Sequence, residues 1–160
     1  MEELIMYQLP IRAFDINADY QRVKNFFAQM GGESRAFFNR GNGNEKTALR
    51  FFDKSAAEKN SQYAFFMALD GEEMAGYVFL WDIQKSVVWL GIAVAENWKG
   101  KHLGRDLMKH AEDYAKSLNK GGILLTTNFA NIRGQTLYTN CGYEHLGTHT
   151  CGELLYLKRF

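Results

Sequence analysis

The sequence predicts an α+β protein built around a mixed β-sheet, and two observations lead to that prediction. Segments with helical spacing of apolar residues alternate with short runs rich in Val, Phe, Tyr and Trp, which favour strands. A strand, a long amphipathic helix and a second apolar strand then follow one another over residues 87–128. A strand–helix–strand unit of this kind predicts a right-handed parallel crossover.

The N-terminal part of the chain predicts one strand followed by helices. Asp19 stands where a helix N-cap is expected, and Gly31-Gly32 ends the apolar periodicity that follows it. The glycines and asparagines of RGNGN, residues 40–44, indicate a loop. The predicted elements are a strand at 4–14, a helix at 20–30, a short helix after Glu33 and a helix at 45–57.

The rest of the chain predicts six strands and two helices. Asp70-Gly71 separates the first two strands and is a hairpin signal. The stretch at 122–128 begins with the apolar run GILL, as expected of a buried strand. The predicted strands are 62–69, 73–81, 87–94, 122–128, 143–149 and 151–159, and the predicted helices are 103–119 and 131–141.

Length and composition predict a single domain, 1–160, in the cytoplasm. The chain has 160 residues, of which 46% are hydrophobic, so it can bury a sizeable core. Its net charge of +1, with no segment that gathers the basic residues, argues against nucleic-acid binding. No apolar run approaches the roughly 20 residues of a membrane span. The N-terminus lacks the features of a signal peptide, and Cys141 and Cys151 form neither a disulfide framework nor a metal-site spacing.

The stretch ENWKGKHLGRDLM, residues 96–108, combines glycines and cations where a helix begins. The first N–H groups of a helix lack internal partners and carry partial positive charge, so they attract anions. Gly100 and Gly104 allow close backbone approach, and Lys99, Lys101 and Arg105 add full charges. The stretch matches neither GxxxxGK[ST] nor GxGxxG. It predicts a pyrophosphate site, with a solvated basic turn as the alternative.

Two motifs carry a resemblance to a known superfamily. KGKHLGRDLM resembles the coenzyme A loop of the GNAT superfamily of acyl-CoA-dependent N-acyltransferases, in a register that uses Lys99, His102 and Gly104. His102 takes the place of the first glycine of that pattern. NIRGQTLYTNCGY resembles the later motif of the superfamily. Its matching residues are Asn131, Gly134, Leu137, Tyr138, Gly142 and Tyr143.

The resemblance implies a fold, a reaction and a donor site. The fold is a single GNAT-like domain with a mixed, mostly antiparallel sheet of about seven strands flanked by helices. The reaction is transfer of an acetyl group from acetyl-CoA to a primary amine. The pantetheine arm is expected to pair with the backbone of strand 87–94 as an added strand would. The implied donor-binding residues are Ile92, Ala93, Val94, Lys99, Gly100, Lys101, His102, Leu103, Gly104, Arg105 and Asn131.

Tyr138 is the residue that the resemblance implies as general acid, protonating the leaving thiolate. Its alternative interpretation is an aromatic side chain packed in the core, which is the usual role of aromatics at helical spacing. Asn131 likewise has two interpretations that are compatible: it caps the helix that follows, and it contacts the donor.

A general base is not evident from the sequence. Many relatives carry a glutamate on the strand equivalent to 87–94, but that strand reads VVWLGIAV here, with Trp89 near the expected position. Glu33, His149 and Glu153 are candidates, and the sequence assigns none of them. Glu33 and Phe37 are the predicted acceptor-binding residues, because the region around them shapes the acceptor site in the superfamily.

The sequence identifies neither the acceptor amine nor the oligomeric state. The acceptor is expected to be the amine of a small molecule or a peptide, with no nucleic-acid, membrane or metal partner. Open sheet edges also permit a homodimer. A non-catalytic acyl-CoA-binding regulatory module is the main alternative function, and a nucleotide-phosphate binder that uses the same loop is a second.

Overall fold

The computed structural model of the chain describes residues 8–32, 46, 49 and 62–160. Its elements form one domain built on a single sheet. In chain order they are β1 Ile11–Ala13, α1 Tyr20–Ala28, β2 Tyr63–Asp70, β3 Glu73–Trp81, β4 Val87–Val94, a 3-10 turn Glu96–Trp98, α2 Leu103–Ser117, β5 Gly122–Thr127, α3 Ile132–Asn140, β6 Glu144–Thr148 and β7 Leu154–Arg159.

The seven strands lie in the order β1-β2-β3-β4-β5-β7-β6. Every neighbouring pair is antiparallel except β4 and β5, which are parallel and joined through α2. The predicted mixed, mostly antiparallel sheet and the parallel crossover at 87–128 are therefore confirmed.

Alternation along the strands gives the sheet two apolar faces, because successive side chains of a strand point to opposite sides. On β3, Val78 and Leu80 pack in the cluster that includes α2, whereas Tyr77 and Phe79 pack in the cluster that includes α1. We call these the α2 face and the α1 face. Helix α3 adds Tyr138 to the α2 face.

Strands β4 and β5 separate after a short paired stretch. Their parallel pairing covers Val87–Trp89 on β4 and Gly122–Leu124 on β5. Beyond that point β4 continues against β3 as far as Val94, and β5 continues against β7 as far as Thr127. The sheet therefore has a gap between the C-terminal halves of β4 and β5.

Asp19 stands at the N-cap of α1 as predicted, but its side chain does not cap the helix. The buried carboxylate instead accepts hydrogen bonds from the Arg12 guanidinium at 2.6 Å, from Arg22 at 2.9 Å and from the N–H of Asp15 at 2.6 Å. These bonds join β1, the turn after it and α1, because each partner lies in a different segment.

Some predicted boundaries differ from the observed ones. The strand predicted at 4–14 begins at Ile11, since residues 8–10 are not in a strand, and residues 1–7 lie outside the described ones. Helix α1 ends at Ala28 and α2 at Ser117, each two residues earlier than predicted. The predicted short helix after Glu33, the loop at 40–44 and most of the helix at 45–57 also fall outside the described residues. Of the helices described, none is long and apolar enough to cross a membrane.

Candidate active site

The gap between β4 and β5 presents unpaired backbone groups of β4. The N–H of Ala95 bonds to the carbonyl of Ala75 at 2.8 Å, which fixes the phase of the β3–β4 ladder. In an antiparallel pair the residues alternate between hydrogen-bonded and non-hydrogen-bonded positions. The N–H and C=O groups of Ile92 and Val94 therefore point away from β3, into the gap, as the sequence prediction requires.

Ala93 lies differently from its two neighbours. It is paired with Tyr77 on β3, and its side chain is buried on the α1 face. Its backbone groups point toward β3 by the same alternation. The structure therefore brings Ile92 and Val94, but not the backbone of Ala93, to the gap.

The loop before α2 has an unusual backbone. Gly100 has φ = 76° and His102 has φ = 66°, so both are in the left-handed region. His102 is the N-cap of α2, and no side chain caps this helix end. The N–H groups of Leu103, Gly104 and Arg105 in the first turn are thereby left for an outside acceptor, because a helix supplies none at its N-terminus.

The predicted cations surround this helix end, but they differ in their contacts. Lys99 donates to Glu96 at 2.7 Å. The Lys101 ammonium lies 5.2 Å from the centroid of the Trp98 ring, a cation–π contact. Arg105 is exposed on the first turn of α2. Lys101 and Arg105 place two positive charges beside the uncapped end, where the first turn also carries Asp106, and this excess of positive charge favours an anionic ligand.

Leu103 and Gly104 connect the loop to the core. The Leu103 side chain is buried on the α2 face, so only its backbone is available to a ligand. A Cβ at Gly104 would lie 3.1 Å from the Cδ2 atom of Leu137 on α3. The glycine therefore allows α2 to pack closely against α3, the helix that carries Tyr138.

Tyr138 is buried in an aromatic cluster on the α2 face. Its ring centroid lies 6.3 Å from that of Tyr143 and 5.8 Å from that of Tyr156. Burial, followed by the negative charge of Glu153, raises the pKa of Tyr138 well above its ordinary value. The phenol is therefore protonated throughout the neutral range, which is the state that a proton donor requires. Burial alone fits the core alternative too, so its catalytic role stays a prediction.

Both ends of α3 are fixed by side chains. Asn131 caps the helix by accepting from the N–H of Gly134 at 3.1 Å, and it also donates to Thr127 at 3.1 Å. At the other end, Lys158 donates to the carbonyl of Cys141 at 2.7 Å and to Glu112 on α2 at 3.0 Å. The predicted capping role of Asn131 is thus observed, and its contact with the donor stays a prediction.

A polar and aromatic corner lies on the α1 face beside the gap. The Trp89 ring stacks on Trp81 with centroids 5.9 Å apart, and His149 lies edge-on to Trp89 at 5.7 Å. The Thr126 hydroxyl donates to the Glu153 carboxylate at 3.1 Å. All five side chains are partly exposed. Of the three base candidates, His149 and Glu153 therefore come together here, whereas Glu33 and Phe37 lie outside the described residues.

Sequence reasoning did not single out Thr126 or Trp81. Trp81 is the cross-strand partner of Trp89, and Thr126 lies two residues beyond Leu124, the partner of Trp89 on β5. Period-two alternation would have placed each side chain on one of two faces. The pairing register between the strands cannot be read from the sequence, so nothing indicated that these side chains share one corner.

A cavity of about 220 Å³ opens beside the end of β4. The C-terminal part of α1 forms one wall of it, and the backbone that leads from β4 into the 3-10 turn forms another. Its lining residues are Phe26, Gln29, Met30, Met74, Val94, Ala95, Glu96 and Asn97. The cavity therefore adjoins the end of the strand whose backbone faces the gap.

Comparison with known proteins identifies the family. The sequence profile of the acetyltransferase (GNAT) family matches residues 19–143. The uncharacterized N-acetyltransferase YvbK of Bacillus subtilis is 34% identical over 80 residues, which are 49% of this chain and 52% of that protein. The match thus spans about half the length of this relative.

Solved structures of low sequence identity share the fold. The PaiA N-acetyltransferase of Thermoplasma acidophilum, solved in complex with coenzyme A, aligns over 96% of this chain and 100% of its own, with a TM-score of 0.76 and 16% identity. The GNAT domain of S. lividans PAT aligns over 94% of this chain and 89% of its own, with a TM-score of 0.79 and 15% identity. Together with the profile match, which covers most of the chain, these findings show that the protein belongs to the GNAT family of acetyltransferases, a family of acyl-transferring enzymes.

Proposed function

We propose that the protein transfers an acetyl group from acetyl-CoA to a primary amine, with Tyr138 as the general acid. The observation that carries the proposal is the gap between β4 and β5 together with the uncapped N-terminus of α2. Leu103, the first residue of α2, packs beside Gly76, the cross-strand partner of Val94 at the end of β4. An extended chain that ends in phosphates fits both features at once. Its amides pair with the free edge of β4, and its phosphates meet the helix end.

The donor site is assembled from this chain's own backbone and cations. The N–H groups of Leu103 to Arg105 hold phosphate oxygens, and Lys101 and Arg105 neutralise their charge. Ile92 and Val94 pair with the amides of the pantetheine arm. The PaiA relative with coenzyme A bound supports this choice of donor.

The reaction needs an oxyanion donor and a proton donor. The amine nitrogen attacks the thioester carbonyl carbon and forms the new C–N bond, while negative charge develops on the oxygen. A preorganised backbone N–H of β4 near Ile92 stabilises that charge. The C–S bond then breaks with its electron pair on sulfur, and the Tyr138 hydroxyl gives sulfur its proton.

The test of the acid is Tyr138→Phe, which removes the hydroxyl and keeps the ring. We expect single-turnover acetyl transfer to fall by roughly 10²–10⁴-fold, as for loss of a general acid. Tyr156→Phe is the matched control, because Tyr156 contacts the same ring and loses the same atom. If Tyr138→Phe binds acetyl-CoA and its rate of single-turnover acetyl transfer is unchanged, Tyr138 is a core packing residue and not the general acid.

One observation favours a second function. Strand β4 carries Trp89 near the position where many relatives have an acid, so the protein would be a non-catalytic acyl-CoA-binding regulatory module if nothing replaced that acid. Acetyl-CoA would then raise the melting temperature, but no amine in a broad panel would be acetylated above the uncatalysed rate. Amine-dependent release of free thiol would exclude this alternative.

A further inference from the structure

The corner of the α1 face beside the gap holds a carboxylate in a fixed position. Glu153 accepts a hydrogen bond from the Thr126 hydroxyl at 3.1 Å, and its own carbonyl accepts from the N–H of His149 at 2.7 Å. Two bonds, one from the neighbouring strand β5 and one across the β6–β7 turn, therefore orient this residue. A carboxylate held in this way is pre-organised to accept a proton.

The surface next to Glu153 is aromatic. The rings of Trp81 and Trp89 are nearly parallel, with an interplanar angle of 11°, and the His149 ring meets Trp89 at 81°. All three side chains are partly exposed. Trp81 also stacks on Phe79, with centroids 5.0 Å apart, so its ring is engaged by two neighbours. The partly exposed ring of Trp89, at the end of this stack, favours an apolar, ring-bearing ligand.

The corner and Tyr138 lie on opposite sides of the sheet near the same gap. Tyr138 packs on the α2 face, whereas Thr126 and Trp89 point to the α1 face. Tyr138 contacts Tyr156 on β7, the strand that begins directly after Glu153, so the same strand connects the two groups. A thioester in the gap would thus have a proton donor on one side and a carboxylate on the other.

We propose that this corner is the acceptor site, that Glu153 takes the proton of the acceptor ammonium, and that the acceptor is a primary amine with a flat apolar body that packs against Trp89. The proposal rests on the acetyl-transfer function proposed above. It supplies the base that β4 lacks from Glu153, the residue directly before β7.

The protons of the proposed reaction balance. Glu153 removes one proton from the ammonium and passes it to solvent, and the resulting neutral nitrogen attacks the carbonyl carbon. A second proton leaves the nitrogen for solvent as the C–S bond breaks, while sulfur takes the Tyr138 proton and solvent replaces it. Each protonated amine that is acetylated therefore releases one proton, whereas an amine that is neutral at the start releases none.

A matched pair of acceptors isolates the step that Glu153 performs. The two probes are 2-phenylethylamine and O-benzylhydroxylamine, which have the same shape and differ by one CH₂-to-oxygen exchange. An alkylamine with a pKa near 10 is protonated at neutral pH, whereas the oxyamine is neutral and needs no base. Each is assayed with acetyl-CoA on the wild type, Glu153→Gln and the control Glu144→Gln, an exposed glutamate on β6.

We expect Glu153→Gln to lower kcat/KM for 2-phenylethylamine by roughly 10²–10⁴-fold and to change that for O-benzylhydroxylamine by no more than about threefold. Glu144→Gln should leave both values unchanged. Equal losses with both probes, or no loss with either, would overturn the role of Glu153. Thr126→Val is a second variant that keeps the carboxylate, and it should show a smaller loss with the same selectivity for the protonated probe.

The acceptor class is tested separately from the reaction. The wild type should prefer 2-phenylethylamine to ethylamine and spermidine, and Trp89→Ala should raise KM for 2-phenylethylamine far more than for ethylamine. Acetylation of spermidine but not of 2-phenylethylamine would overturn the acceptor class and leave the acetyl-transfer function standing. Absence of acetyl-CoA binding by the wild type would overturn the function itself, and this proposal with it.

Discussion

At the scale of single residues, His102 holds the loop in a conformation that usually belongs to glycine. Its φ of 66° lies in the left-handed region, where a side chain costs roughly 1–2 kcal/mol, although His is among the residues that tolerate it better. The resemblance pointed to this position because the superfamily has glycine there. The structure explains this, because φ at position 102 is positive and glycine adopts a positive φ without strain.

Two substitutions at position 102 test this explanation. Both His102→Gly and His102→Val remove the exposed imidazole, but only glycine accepts a positive φ without strain. We expect the free energy of unfolding of His102→Val to be about 1–2 kcal/mol below that of His102→Gly in urea denaturation. Equal stability of the two variants would mean that the loop adopts a different backbone in solution.

Glu153 shows why part of the site could not be predicted at this scale. The sequence offered Glu33, His149 and Glu153 as bases without a way to choose, because it predicted each of them in a loop or at a strand end. The choice depends on Thr126, which donates to Glu153 across the β5–β7 pair. A register between strands that are far apart in sequence has no local signal, so the contact is visible only in the fold.

At the scale of elements, the strands with clear alternation and hairpin signals were predicted best. The bounds 73–81 and 87–94 match β3 and β4, because aromatic and β-branched runs end there at turn residues. The first strand was predicted too long, since the apolar residues before Pro10 resemble a strand but residues 8–10 form none. The separation of β4 from β5, which creates the gap, is a three-dimensional property that neither strand encodes alone.

The junction of β1 and α1 depends on one buried carboxylate. Asp19 is fully buried, while the Arg12 and Arg22 side chains are 39% and 23% exposed, so part of the ion-pair energy is screened by solvent. We expect Asp19→Asn to lower the free energy of unfolding at pH 7 by about 2–3 kcal/mol. Asp113→Asn, which breaks the exposed pair with Lys109, should cost less than about 0.5 kcal/mol.

The same junction predicts a pH dependence with a definite sign. Burial alone would raise the pKa of Asp19, but the hydrogen bonds from Arg12 and from the Asp15 N–H outweigh it and hold the pKa below its ordinary value of 3.8. The contribution of Asp19 is therefore complete above that value and is lost as the pH falls through the lower, folded-state pKa. We expect the difference in free energy of unfolding between wild type and Asp19→Asn, measured by urea unfolding, to stay constant from about pH 7 to 4. Below about pH 4 this difference should decrease. A difference that persisted undiminished at about pH 2 would contradict this origin.

At the scale of the whole molecule, one sheet separates two kinds of chemistry. The α2 face carries the proposed phosphate site and the proposed acid, joined by the packing of Gly104 on Leu137. The α1 face carries the proposed acceptor corner, with the aromatic pair of Trp81 and Trp89. The gap between β4 and β5 opens to both faces, so in the proposed mechanism the donor and the acceptor approach it from different sides.

Donor binding should therefore stabilise the whole domain, and the melting temperature measures this. At 100 times Kd, acetyl-CoA adds about 2.7 kcal/mol to the free energy of unfolding, a shift of roughly 5–10 °C for a domain of this size. ATP at the same concentration should give a much smaller shift, because it has no pantetheine arm to pair with β4. An equal shift with ATP would favour the nucleotide-phosphate alternative.

Substitution of the loop cations tests the phosphate site more specifically than the comparison with ATP. Lys101→Gln with Arg105→Gln removes two exposed charges beside the uncapped end of α2, which should weaken binding by about tenfold. At an unchanged acetyl-CoA concentration the stabilisation then falls to about 1.4 kcal/mol, so the shift is roughly halved. Lys109→Gln with Lys116→Gln removes the same charge from the same helix, away from the loop, and should keep the full shift. If both pairs reduced the shift equally, general electrostatic attraction would explain donor binding, and the specific phosphate site at the start of α2 would be wrong.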